Sequence, residues 1–257
     1  MNELKEVFEY REMIFMLVRK DLRGRYKRST LGFAWTFINP LLQLLVYTAV
    51  FSVVMRAGIE KYYLFLFVAL IPWLAMASSV NNGATSITSQ ANMVTKIHFP
   101  RQVLPITAVT TSFVNMALCM LVVLAVCALS VGLNLRVLWY LIPTFFIEYI
   151  LALGIAFLVS SLTVYLRDLE HILTIFTMAW QFLSPVMYSA DMVPEKFRTI
   201  FMLNPMSPIL VAFRDVLYYR TAPKFGTMLG SLAAGVFFLL LGWFVFKKLE
   251  RRFAEEL

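Results

Sequence analysis

Glu148 is the single acid in the apolar stretch from Val137 to Leu166, and a carboxyl group in such surroundings marks either a polar pathway or a structural hydrogen-bonding contact. A proton relay needs a second titrating member, and no Lys, Arg, His or further acid shares the long apolar runs with it. His98 and His171 stand in separate loops, and nothing near His98 supplies a second metal ligand. Cys119 and Cys127 fall in one apolar run, where a helix sets them about 12 Å apart along its axis, too far to pair. They read as small hydrophobes. The sequence holds no G-x-x-x-x-G-K-[ST] phosphate loop, no H-E-x-x-H, no C-x-x-C and no G-x-S-x-G. Phosphate-loop ATP hydrolysis, metal catalysis and triad chemistry are therefore not expected of this chain. A membrane-embedded glycosyltransferase would need an acid or metal constellation that Glu148 alone does not supply.

The solvent explains why so little catalytic equipment is present. Of 257 residues, 60% are hydrophobic and only 15% are charged, too few to clothe a water-soluble core. The net charge of +8 does not point to nucleic acid, because the 23 Lys and Arg gather at the ends of apolar runs. No cleavable leader is expected, since the longest apolar stretch near the start, Met13 to Val18, is too short for one.

A helix needs around 20 apolar residues to cross the hydrocarbon. Six stretches meet this: Leu31 to Met55, Tyr62 to Val80, Val103 to Gly132, Val137 to Leu166, Ile172 to Ala190 and Phe225 to Phe246. Pro72 is expected to bend the second, and Ser184 with Pro185 to disturb the fifth. An even number of crossings puts both termini on one side, and that side then carries fifteen Lys and Arg against eight on the other. The positive-inside tendency makes both termini cytoplasmic.

The remaining segments position the chemistry. Leu4, Val7, Phe8, Phe15, Val18 and Leu22 share one arc of a helical wheel, which predicts an amphipathic helix along the membrane interface, serving as an anchor or as a docking surface. Arg11 intrudes on that arc, so a break or a snorkelling side chain is expected there. Asn81 to Thr95 is rich in Asn, Ser, Thr and Gln and suits a cytoplasmic extension ending in a short helix broken at Pro100. Asp191 to Lys224 carries four prolines and is too broken to span; short interfacial or re-entrant helices are the natural form, with a plain loop as the alternative. Arg214 and Asp215 would anchor such a helix at headgroup level. Aromatic residues, Trp35, Tyr47 and Phe51 among them, suit interfacial belts or a surface along which an amphiphile slides. Gly226, Gly230, Ala234, Gly235 and Gly242 allow close packing of the last span.

The expectation is an all-α polytopic membrane protein with six transmembrane helices, an N-terminal amphipathic interface helix and short re-entrant helices between spans five and six. Its regions are an interface segment at 1–30, a transmembrane domain at 31–246 and a basic tail at 247–257.

Several motifs in order carry a resemblance. Tyr26-Lys27-Arg28-Ser29-Thr30-Leu31-Gly32 with Trp35 and Pro40, then Phe99-Pro100-Arg101 with Leu104-Pro105, resemble the approaches to the first and third spans of type-2 ABC permeases that export polysaccharide. Tyr165-Leu166-Arg167-Asp168-Leu169, Ser184-Pro185-Val186 and Leu203-Asn204-Pro205-Met206 with Phe213-Arg214 are similar to later segments of the same family. The resemblance covers essentially the whole chain.

It implies a half-transporter of the cytoplasmic (inner) membrane: two copies paired with two ATP-binding subunits, moving polyprenyl-linked polysaccharide such as O-antigen outward. ATP and Mg would sit on the partner, with no cofactor or metal on this chain. The ATPase-coupling interface maps to Asn92, Lys96, His98, Phe99, Pro100, Arg101, Arg167 and Asp168, and the interface helix to Phe8, Phe15, Arg23 and Tyr26. Candidate channel or gate residues are Trp35, Tyr47, Phe51, Glu148, Asn204, Pro205 and Arg214. A half-permease for a drug or small lipid would share this topology.

Overall fold

A computed structural model describes residues 2–24, 30–54 and 58–257, and every regular element among them is helical. The chain starts with α1 (Asn2–Glu9) and α2 (Arg11–Gly24), then α3 (Trp35–Thr48), which a six-residue π-helix, Ala49–Val54, prolongs. There follow α4 (Tyr62–Thr85), α5 (Ala91–Lys96), α6 (Val103–Ser130), α7 (Leu135–Leu138) and α8 (Leu141–Tyr165). The remainder is α9 (Leu169–Leu183), α10 (Glu195–Leu203), α11 (Met206–Leu217), α12 (Phe225–Leu249) and the terminal turn α13 (Phe253–Glu256).

Among the described residues five helical stretches are long and apolar enough to span a membrane: Gly32–Phe51, Tyr62–Thr85, Val103–Ser130, Leu135–Tyr165 and Phe225–Arg252. The protein is a multi-pass membrane protein. α4 is its axis. Apolar on every side, it is enclosed by α3, α6, α8, α9 and α11, as a helix without a polar face must be. It also runs past Val80, where the sequence suggests that it should end. The polar side chains there bond to the helix's own carbonyls, Ser79 to Ala75 O at 2.7 Å and Asn81 to Ala77 O at 2.9 Å, so polarity does not stop it. Pro72 lies inside this helix without ending it.

α8 and α12 run parallel and form the most extensive helix pair. Gly235 meets Ile147, Gly154 meets Phe238 and Leu239, and the Tyr165 hydroxyl donates to Leu249 O at 2.9 Å. At Gly242 the backbones almost touch: a Cβ there would stand 2.0 Å from Gly154 O. Of the small residues expected to give close packing, Gly235 and Gly242 do so, whereas Gly226 and Gly230 face open space.

Because these two helices are parallel, the chain must travel back along the bundle between them. α9 makes this return, but it differs from the span expected over Ile172 to Ala190. It stops at Leu183, since Ser184 precedes a proline and takes extended backbone. Fifteen residues rise about 22 Å, short of a hydrocarbon core about 30 Å thick. The non-helical residues 184–188 continue it, so helix length accounts for five spans and not for six.

α10 and α11 form a helical hairpin whose tip, Asn204-Pro205, touches Trp180. Trp180 packs edge-on against Trp73 at 5.3 Å. Trp73 stands eleven residues into α4, about 16 Å along its axis, so the hairpin is re-entrant. The other end of the bundle gathers both termini. Tyr10, Met13, Ile14 and Leu17 pack in the same apolar cluster as Phe99, Phe246 and Phe253. The interface helix breaks at Tyr10, beside the intruding Arg11. Phe8 and Phe15 stay exposed on its outer side, while Val18 is buried.

Candidate functional site

Non-helical backbone at membrane depth is tolerated only where its polar groups are satisfied by protein or water. Residues 182–188 meet that condition carbonyl by carbonyl. Tyr188 donates its hydroxyl to Phe182 O at 2.9 Å, Asn204 its amide to Leu183 O at 3.2 Å, and the Val186 N–H reaches Ser184 O at 2.7 Å. Arg214 takes three more, Pro185 O at 2.5 Å, Val186 O at 2.7 Å and Tyr188 O at 3.2 Å, and Tyr62 donates to Met187 O at 2.7 Å. Arg214 is 2% exposed, also donates to Phe65 O, and lies over the Phe65 ring at 3.5 Å. It is therefore not the headgroup anchor expected from sequence. Its planar fork of donors braces backbone that lacks helical partners. Asn204 braces the same segment, donating to Ser184 Oγ at 2.8 Å and accepting from Trp180 Nε1 at 2.9 Å and from the Met206 N–H at 3.1 Å. Pro205 then caps α11.

A second constellation lies where α3, α4 and α6 meet. Trp35, Asn39 and Gln43 succeed one another every fourth residue along one face of α3 and line a cleft of about 210 Å³ with Ser78, Ser112 and Asn115. Two buried oxygens in these walls, Thr36 Oγ1 and Asn115 Oδ1, have no hydrogen-bond partner. An indole face beside amides and hydroxyls can hold a hydroxylated ring by stacking and hydrogen bonds. Tyr47 and Phe51 do not join this cleft. Tyr47 packs on the main core, and the ring of Phe51 stacks on Tyr62 at 6.1 Å. Glu148 is fully buried in α8 and neither carboxylate oxygen has a partner. Beside α9, a groove of about 1030 Å³ is walled almost wholly by apolar side chains, most of them from α8, α9, α10 and the segment that joins α9 to α10.

At the end that holds the termini, Asn92, Lys96 and His98 are exposed, and so are Arg167 and Asp168 in the turn after α8. Phe99 is buried in the apolar cluster there, and Pro100 is half-buried. Arg101 donates to Glu250 O, next to the end of α12. Arg23 is exposed on the interface helix, and Tyr26 lies outside the described residues. Among the described residues no His, Cys, Asp or Glu cluster could hold a metal ion.

Residues 12–218 match the family model described as ABC-2 type transporter. The chain belongs to the ABC-2 type transporter family. It is 31% identical to the O-antigen export system permease protein RfbA of Myxococcus xanthus, over 99% of this chain and 98% of that one. Identity to an RfbA of Klebsiella pneumoniae is 33%, over 95% of this chain and 94% of the relative. The polysialic acid transport protein KpsM of Escherichia coli is 21% identical over 78% and 79%.

In this ABC-2 type transporter the exposed residues around α5 and the turn after α8 share one end of the bundle, whereas Trp35 stands apart from Tyr47, Phe51 and Glu148. Asn39, Gln43 and Asn115 escape a sequence search that follows aromatics and charges. The signal that finds the first two is an amide every fourth residue after Trp35 in a run otherwise suited to lipid.

Proposed function

We propose that this chain is the permease subunit of an ATP-driven exporter of lipid-linked polysaccharide such as O-antigen. Two copies pair with two separate ATP-binding subunits in the cytoplasmic membrane, with both termini cytoplasmic and with ATP and Mg held by the partner. The observation that carries this reading is the likeness, along nearly the whole chain, to proteins named O-antigen export permeases. A hydroxyl-rich polymer cannot enter hydrocarbon, since each hydroxyl without a partner costs several kcal/mol. The cleft edged by Trp35 supports the reading, because it offers replaceable polar and aromatic contacts within an apolar bundle. The conduit forms where two copies meet and the chain slides from one such contact to the next. ATP binding draws the partner subunits together and displaces α5. That displacement drives the conduit only if its two conformations differ in affinity for nucleotide or cargo.

The apolar groove beside α9 favours a second reading, a half-permease for a drug or small lipid. Inside-out vesicles holding the chain and its ATP-binding subunit separate the two. Uptake of labelled lipid-linked glycan, with none of a hydrophobic drug, is expected. The reverse pattern would replace the first reading with the second.

A further inference from the structure

The tail beyond the last span is fastened to the segment that follows α5, far away in sequence. Glu250 sits at the junction. Its carbonyl accepts from Arg101, its Oε2 accepts from Gln102 Nε2 at 3.2 Å, and its Oε1 accepts from Lys247 Nζ at 2.9 Å. Phe253 is fully buried, perpendicular to Phe246 at 5.5 Å, and the Arg101 guanidinium lies 6.0 Å from the centre of its ring. α13 packs on α5 and α8. Between the tail and α5 this leaves an open groove of about 510 Å³. Four cations line it, Lys96, Arg101, Lys247 and Arg251, against two acids, Glu6 and Glu250. Both oxygens of Glu250 are already engaged, and the exposed Lys96 and Arg251 stand at the rim.

We propose that the C-terminal tail and α5 form one docking surface, and that its groove receives an acidic segment of the ATP-binding subunit. The inference rests on the reading of the chain as a permease with a separate ATP-binding partner, and on charge complementarity with a groove whose cations exceed its acids. It changes how motion is passed on. Because Arg101 and Gln102 hold Glu250, a displaced α5 pulls directly on the end of α12, and α12 meets α8 backbone to backbone at Gly242.

The test is the affinity of the full chain, in lipid nanodiscs, for the purified ATP-binding subunit of the same transporter, measured at several salt concentrations. Arg251→Glu places a reversed charge on an exposed side chain at the rim of the groove. Affinity is expected to fall roughly tenfold at low salt, with a shallower salt dependence, and Arg251→Lys is expected to restore both. Unchanged affinity and salt dependence in Arg251→Glu, alongside weakened binding in Lys96→Glu, would overturn the role of the tail and leave the permease reading intact. If the unaltered chain binds no ATP-binding subunit at all, both fall.

Discussion

Trp180 donates its indole N–H to Asn204 Oδ1 at 2.9 Å, which fixes the last turn of α9 to the tip of the re-entrant hairpin. The return path through the bundle and the hairpin beside it are thus one structure, joined by a side-chain amide that also holds Leu183 O and Ser184 Oγ. Asn204→Ala should destabilise the protein by about 1–3 kcal/mol for each buried group left unpaired. Thermal unfolding in detergent, followed by tryptophan fluorescence, checks this. An unchanged midpoint would mean that the tip does not depend on these bonds.

Arg214→Lys keeps the charge and loses the fork. An ammonium cannot reach Phe65 O, Pro185 O, Val186 O and Tyr188 O together, so carbonyls at membrane depth are left without donors. The expected loss is on the order of 3 kcal/mol, with export falling in parallel. Thermal unfolding of this variant beside Arg220→Lys, which alters an exposed arginine, measures it.

Substitutions at glycine separate contact from composition. Gly242→Ala drives a methyl group into Gly154 O and must part α12 from α8, at a cost of about 1–3 kcal/mol. Gly230→Ala meets nothing and should be neutral or stabilising by up to about 1 kcal/mol. Comparing folded yield and unfolding midpoint of the two variants tests the α8–α12 packing.

Function and stability should move in opposite directions in the cleft. Asn115→Leu removes a buried oxygen that has no partner and should leave the unfolding midpoint unchanged or raised. Export of glycan in vesicles should fall, as it should for Trp35→Ala. Full export by both variants would remove the cleft from the conduit.

Lys96→Glu should uncouple ATP hydrolysis from export while the chain still inserts in the membrane. Lys96 is the clean probe because it is exposed, whereas Arg101 also fastens the tail. Normal export in the variant would count against docking at α5.

Much of this architecture can be read from hydrophobic runs and punctuation. The long spans, the interface helix with its break near Arg11, and the re-entrant segment follow from apolar length, wheel position and proline spacing. What cannot be read is which apolar neighbour a helix meets. The most apolar stretches of α4 and α12 belong to spans with mean hydropathies of 2.0 and 2.2, yet more than three quarters of the stretch in α4 is buried and less than a quarter of that in α12. Ser184 and Pro185 announce a disturbance in the fifth span, but hydropathy, which registers neither the missing N–H of Pro185 nor the extended turn at Ser184, does not reveal that the helix ends at Leu183. The place of Arg214 is hidden for a related reason. A charge in an apolar context suggests the headgroups, and only the fold shows unpaired carbonyls within its reach. Gly154, the partner of Gly242, carries no signal of its own in sequence.

The most direct test is reconstitution in proteoliposomes of this chain alone, its ATP-binding subunit alone, and both together, with ATP hydrolysis and movement of labelled lipid-linked glycan read in each. The expected result is glycan movement only with both proteins and ATP, and no hydrolysis by this chain alone. Hydrolysis by the isolated chain, or hydrolysis by the complete assembly that moves no glycan, would contradict it.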